Sequence, residues 1–472
     1  MEKEIDLNAV TRGVISAPAG CGKTYLIVRA IVENSHKKPI LVLTHTNAGV
    51  AALRGRVQRT AKSSGYRLST IDGWAMRLIA MFPRRSGHDA DILNLSLPSN
   101  DYPEIRRAAA RLLASGNLDD VLKSTYSRLI VDEYQDCNGV QHQIVRHLST
   151  VIPTVVLGDP LQAIFGFNRN PVVDWAAEVL ASFGDVGELS TPHRWINAGE
   201  ESFGRWLLEI RKDLIAGRRV DLSKLHENVH WVRLDGSDAD RERKRKAGMS
   251  AAPSKDGKVL IIADSMKKAG QYDYAKQLPG AVVAESVDLG DLVDFASEFN
   301  LLAHDAIDRI VAFASQIMTN VGGEDMLKRV RTLLAKRERK GPSEAEAAAI
   351  AFIGQPTYEA AGNVMDAIAA TGGVRVHRPT MLAAYYSMLR ECSSGSGVSP
   401  IEAAAMARER GRLIGRPLSK RTVGSTLLLK GLEADVSVIL DVDRMDANHL
   451  YVAMTRGSRK LVVCSASSVL PL

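Results

Sequence analysis

Long apolar runs are missing from this chain. Nowhere do about 18 consecutive apolar residues occur, the length that a membrane-spanning helix requires, so no membrane partner is expected. The opening residues Met1-Glu2-Lys3-Glu4-Ile5-Asp6 are charged rather than apolar, which argues against a secretory leader. Cysteine is scarce as well. The four, Cys21, Cys137, Cys392 and Cys464, stand far apart, which excludes a zinc ribbon or a local iron–sulfur cluster and fits a reducing cytoplasm. No repeat of solenoid period is found. Neither sign of charge dominates: 61 Lys+Arg against 54 Asp+Glu leave a formal +7, a mild excess that permits a polyanionic partner without demanding one. What is present is apolar content of 45% over 472 residues, enough for two to four folded domains.

One stretch organises the rest. Ala17-Pro18-Ala19-Gly20-Cys21-Gly22-Lys23-Thr24 follows the apolar run Val14-Ile15-Ser16 and leads into Tyr25–Val32, which can wind as a helix. Strand, glycine turn and helix in that order let backbone N–H groups wrap a phosphate, with Ala19, Gly20, Cys21 and Gly22 forming the cradle. Lys23 would reach the β- and γ-phosphates of a bound nucleotide, and Thr24 would hold Mg²⁺. The position of the usual first glycine is Ala17, so the pattern alone is imperfect. Its acidic counterpart is Leu129-Ile130-Val131-Asp132-Glu133, an apolar strand that delivers two adjacent carboxylates. Asp132 would hold Mg²⁺ through water, and Glu133 would polarise the attacking water.

Strand-like runs at Val14–Ser16, Ile40–Thr44, Arg128–Asp132 and Thr154–Gly158 alternate with helical patterns, the grammar of a parallel α/β sheet whose ligand loops gather at the strands' carboxyl ends. A first domain is expected over residues 1–188, with a helical insertion at about 75–127. A second α/β domain would comprise 189–290 and 416–472, with strands at His230–Leu234, Lys258–Asp264, Ala281–Glu285, Val436–Asp441 and Lys460–Ser465. The alanine-rich stretch 291–415, with Ile307, Ile310, Val311 and Ile317 at helical spacing, would form a helical insertion domain. Arg241–Lys246 reads as a solvated basic loop.

The order of the motifs resembles that of the UvrD/Rep/PcrA group of superfamily-1 helicases. Leu41–Ala48, Asp132–Asp136 and Gly158–Phe167 are similar to motifs Ia, II and III of that group; Thr191–Arg194, Lys430–Asp435 and Leu450–Gly457 are similar to motifs IV, V and VI. The resemblance implies two RecA-like P-loop domains with helical insertions, ATP and Mg²⁺ as cofactors, and single-stranded DNA or a tailed duplex as partner. It implies Gln162 as the sensor beside the hydrolytic water, Arg194 and Arg456 as arginines that reach the γ-phosphate, and Glu433 as the acid that couples the second domain to nucleotide. A strand would stack on Phe167 and meet Thr44, Thr46 and Asn47 through its phosphates; the same Thr and Asn residues also suit helix capping.

The expected activity is ATP-driven translocation on single-stranded DNA, 3′ to 5′, with unwinding. The alternative is a nucleic-acid-sensing ATPase that signals to a partner such as an OLD-family nuclease, since the compact size resembles the helicase-like subunit of the Gabija anti-phage defence system. Departures bear on both. No glutamine precedes Gln58 to read adenine, His193 stands where relatives carry Tyr, Leu427 replaces a histidine, and Asp72 places a carboxylate near the expected phosphate track. The chain runs only sixteen residues past Arg456, which leaves no expectation of an appended nuclease domain.

Overall fold

The structure, a computed structural model, describes residues 5–60, 65–88, 90–95, 98–166, 171–224, 226–337, 339–395, 397–413 and 419–471. The fold is α/β with two six-stranded sheets. The chain divides into two compact units: residues 1–233, 442–461 and 465–472 form the first, and 234–441 with 462–464 the second. The segments 189–233 and 442–461, which carry Arg194 and Arg456, therefore group with the phosphate loop rather than with the second unit.

The first sheet consists of β1 (Arg12–Ser16), β2 (Ile40–Thr44), β3 (Tyr66–Thr70), β4 (Arg128–Val131), β5 (Thr154–Gly158) and β6 (Asp185–Glu188), in the order β3-β2-β4-β5-β1-β6. All its pairings are parallel. The inner strands are unbroken apolar runs because both faces are covered, and successive side chains divide between them. Val14, Leu41, Leu43, Leu129, Val131 and Val156 enter one core with Trp74, Ile105 and Ile144 of the covering helices. Ile15, Ile40, Val42, Ile130, Val155 and Leu157 enter the other, with Ile27, Ile31 and Leu53. Because the strands are parallel and in register, with Ser16 opposite Gly158 and Val131 opposite Val156, the loops that follow β1, β4 and β5 emerge at one edge. Backbone bonds tie that edge together: Ala17 N donates to Gly158 O at 2.7 Å, and Asp132 N donates to Leu43 O at 2.8 Å.

Later in the first unit, β7 (Val220–Asp221) pairs antiparallel with β16 (Val469–Leu470). The second sheet contains β8 (Val229–Arg233), β9 (Val259–Ile262), β10 (Ala281–Val283), β13 (Arg421–Gly424), β14 (Ala434–Ile439) and β15 (Gly457–Ser465), in the order β10-β13-β9-β14-β15-β8. Its β10–β13, β13–β9 and β9–β14 pairings are parallel. Between β10 and β13 the described elements are helices apart from the small antiparallel pair β11 (Met318–Thr319) and β12 (Arg375–Val376), and these helices share an apolar core around Ile310, Phe313, Phe352, Met365 and Tyr385.

Within the two six-stranded sheets, three strands escape sequence reading, each for a local reason, as do the two-residue strands β7, β11, β12 and β16. β3 and β6 are edge strands with partly exposed or polar residues, and β13 spans only Arg-Thr-Val-Gly, its place secured by neighbours on both sides. The basic run Arg241–Lys246 is a correction: it lies in a helix, Ala239–Gly248, not a loop. Acids one turn ahead of the bases support that helix, with Glu242 bonded to Arg245 at 2.6 Å and Asp240 to Arg243 at 2.6 Å.

In the second unit His377 is fully buried, and neither ring nitrogen has a hydrogen-bond partner among the described residues. Burial, aided by the nearby charges of Lys276, Arg378 and Arg375, pushes its pKa down to about 3. The folded-state value lies below the unfolded one, so the unfolded chain takes up a proton first as pH falls, and stability declines from about pH 6.5 towards pH 3. Urea unfolding followed at pH 7.5 and at pH 5 should show a loss of about 2 kcal/mol attributable to this residue. His377→Phe should remove that part of the pH dependence; an unchanged slope in the variant would contradict it.

Candidate functional site

β1 ends at Ser16, and the next residues form a tight loop that delivers Lys23 at the first turn of the helix Lys23–Val32. Two left-handed glycines shape it, Gly20 at φ 71° and Gly22 at φ 88°. Both are also crowded: a Cβ on Gly20 would lie 2.5 Å from Trp195 Cζ3, and one on Gly22 would lie 2.9 Å from His193 Cδ2. Arg194 N donates to Gly20 O at 3.0 Å, so Thr191-Pro192-His193-Arg194 is seated directly on the loop. Cys21 is buried, which pushes its thiol up to about 12 and leaves it a neutral packing residue. Thr24 stands beside Lys23, half-buried, as the second residue of the helix.

The Lys23 ammonium lies 3.0 Å from Asp132 Oδ1 and also bonds Glu133 Oε1. Burial alone would lower the lysine's pKa, but the charges of Asp132 and Glu133 overcome it and raise it. Burial likewise raises the Asp132 carboxyl, partly offset by Lys23. Glu133 adopts φ 55°, uncommon outside glycine, in the turn that brings the two carboxylates to the lysine. Gln135 Nε2 donates to Glu133 Oε2 at 2.6 Å, and Gln135 Oε1 accepts from Asp159 N at 3.2 Å. Gln162 is buried in the short turn Pro160–Gln162, where its Nε2 donates to Asp159 Oδ2 at 3.0 Å.

Arg194 and Arg456 converge on one residue. Arg194 donates to Thr455 O at 2.6 Å, and Arg456 donates to Thr455 Oγ1 at 3.1 Å and to Val452 O at 2.8 Å. Trp195, buried beneath the Arg194 guanidinium, donates its Nε1–H to Gly457 O at 3.2 Å. Asn448 was not foreseen: its Nδ2 donates to Pro160 O at 3.2 Å and Ala163 O at 2.9 Å, fastening the helix Ala447–Met454 to the Gln162 turn. Asn-His three residues ahead of Tyr451 gives no recognisable signal; only the fold shows its reach.

The residues expected to meet a strand are treated unevenly. Thr46 Oγ1 accepts from Gly49 N at 3.1 Å, a cap on the helix Asn47–Thr60, and Asn47 is exposed at that helix's first position. Thr44 is fully buried against Gly49, and its Oγ1 has no hydrogen-bond partner among the described residues. Phe167 lies outside the described residues. Phe165 packs its ring 5.4 Å from that of His45. Asp72 does not present a bare carboxylate to a phosphate track: it accepts from Arg106 at 2.7 and 2.5 Å and from Gln141 Nε2 at 2.9 Å. Glu433 is an exposed residue of the second unit, immediately before β14.

The residues fit a magnesium nucleotide. A glycine cradle, a helix N-terminus, a lysine already matched to anionic oxygens and a buried carboxylate are the donor set for polyphosphate and a hard cation. Thr24 and Asp132 would hold the ion; Gly20 to Lys23 would hold phosphate.

Comparison with known proteins agrees with this geometry. The family described as UvrD/REP helicase N-terminal domain matches residues 3–97 and 99–172. A subunit of an ATP-dependent helicase/nuclease from Oenococcus oeni is 26% identical over 98 residues, which is 20% of this chain. The chain spans 8% of that relative's length. The structure of the Arterivirus nonstructural protein 10 (helicase) with DNA is similar at 13% identity over 54% of this chain and 48% of that one, with a TM-score of 0.28. Residues 3–97 and 99–172, which hold the phosphate loop, the paired carboxylates and the Gln162 turn, are thus similar to the UvrD/REP helicase N-terminal domain.

Gly20→Ala should destabilise the loop by about 1–3 kcal/mol, because the buried Trp195 ring leaves the new methyl no room. Thermal melting measures this directly, and a melting temperature equal to the parent's would show that the loop and Trp195 are not packed as described.

Proposed function

We propose that the chain is an ATP hydrolase that drives translocation along single-stranded DNA, 3′ to 5′, and unwinds tailed duplexes. The observation that carries the reading is Lys23 held by Asp132 and Glu133 beneath the left-handed Gly20–Gly22 turn. When bound, the magnesium nucleotide supplies the scissile phosphoanhydride and the cation that offsets its charge. The chain's own residues do the rest. Lys23 would move from the carboxylates to phosphate oxygens, and that release would free Glu133 to accept a proton from water while Gln135 holds its second oxygen. Gln162 would orient that water, and Arg194 and Arg456, joined through Thr455, would stabilise charge on the transferring group. Thr46 and Asn47 at an exposed helix start, with Phe167, are the proposed strand contacts, and Glu433 the proposed link from the second unit. Hydrolysis would alternate the closure of the two RecA-like domains, in a cytoplasmic setting.

A second reading, a nucleic-acid-sensing ATPase that regulates a partner nuclease in anti-phage defence, is favoured by one observation. Thr44, expected to meet a strand phosphate, is fully buried, and a motor without that contact would hold its strand less firmly.

ATP turnover by the purified chain, with and without single-stranded DNA, tests both. The motor reading expects many-fold stimulation by DNA and a loss of at least about 100-fold in Lys23→Ala and Glu133→Gln. Stimulation without displacement of a tailed duplex strand would favour the sensing ATPase, and turnover that persists in Lys23→Ala would remove the site from consideration.

A further inference from the structure

Arg211, on the helix Glu201–Ile215, has no counterpart in any motif read from the sequence, yet its guanidinium is among the most deeply buried charges of the first unit. Its side chain is 3% exposed, and its partner Asp159 is fully buried. Arg211 Nε donates to Asp159 Oδ1 at 3.1 Å, and its other arm donates to Glu188 Oε2 at 3.0 Å at the end of β6. Asp159 is the hub. Its second oxygen takes the Gln162 amide at 3.0 Å, and Oδ1 also caps Leu161 N at 3.3 Å. Its backbone N–H holds Gln135 Oε1, and Gln135 in turn holds Glu133. The fit around Gln135 is tight, since a Cβ on Gly158 would stand 2.6 Å from Gln135 Oε1. One guanidinium thus fixes the residue whose carboxylate holds the water-orienting amide and whose backbone N–H registers Gln135 and, through it, the general base.

We propose that Arg211 is a positioning residue for hydrolysis: by clamping Asp159 it holds Gln162 and the Gln135–Glu133 pair in register across the β4 and β5 loops. The planar fork is what the site uses, because one side chain must donate to carboxylates on two different strands' ends. A buried carboxylate left without its partner would reorient, and that change moves Gln162. The inference rests on the assignment of Gln162 and Glu133 to hydrolysis proposed above.

The test is a mutant cycle on the full chain: wild type, Arg211→Met, Gln162→Ala and the double variant, each measured for ATP turnover, affinity for a fluorescent ADP and amide hydrogen exchange in residues 159–163. Arg211→Met is expected to lower kcat about tenfold with KM and ADP affinity within about threefold, and to speed exchange of the Leu161 and Gln162 amides. On the Gln162→Ala background it should cost less than about twofold more, because the two act through one contact. An equal loss on both backgrounds, or unchanged turnover in a folded Arg211→Met chain, overturns the proposal. Should Arg211→Met fail to fold, Arg211→Lys keeps the charge and removes the fork, and the same comparison decides. Absence of turnover in the wild type would end the ATPase reading and this inference with it; turnover in the wild type with an additive cycle would end the inference alone.

Discussion

A lysine ammonium held between two carboxylates is the interaction on which the first unit turns. Lys23, Asp132 and Glu133 come from loops after two different strands, and bringing like charges so close is unfavourable unless a cation lies between them. The lysine supplies that cation. Its position also means that the anionic ligand for which the loop is shaped must compete with protein oxygens for the same nitrogen. Such a site is poised: its parts are already adjacent, and an exchange of partners at Lys23 is enough to change the charge that Glu133 experiences. The twisted backbone at Glu133, with φ of 55°, shows that the local chain conformation is subordinate to this placement.

Around that pair the structure builds a second layer of polar groups that never touches the lysine. Gln135, Asp159, Gln162 and Asn448 form a connected set of bonds from the β4 loop to the β5 loop and on to the helix Ala447–Met454. Arg194 and Arg456 meet at Thr455, so the two arginines share a support. All of these residues belong to the first unit. That arrangement makes the site a continuous network in which a displacement at one residue is felt at several others.

Much of this was legible in the residues, and the reasons are physical. Ile40–Thr44 and Thr154–Gly158 match the observed strands because strands buried on both faces are continuous apolar runs that nothing else explains. The phosphate loop was legible because only glycine tolerates both the left-handed turn and the contacts with Trp195 and His193. What the chain order concealed was partnership at long range. Nothing near Arg211, Asn448 or Arg106 announces that they fasten Asp159, the Gln162 turn and Asp72, since those pairings are separated by dozens to hundreds of residues and depend on where helices cross the sheet. Thr44 shows the converse: a threonine at the end of β2 reads in sequence as available to a phosphate, and only the fold shows that it is buried against Gly49.

The most direct test of the central claim is a structure of the chain with magnesium and a non-hydrolysable ATP analogue. The account predicts that Lys23 leaves Asp132 and Glu133 for phosphate oxygens, that the cation lies by Thr24 and Asp132, and that Glu133 faces the terminal phosphate. A nucleotide bound elsewhere, with the Lys23–Asp132 ion pair intact at its present 3.0 Å, would contradict it.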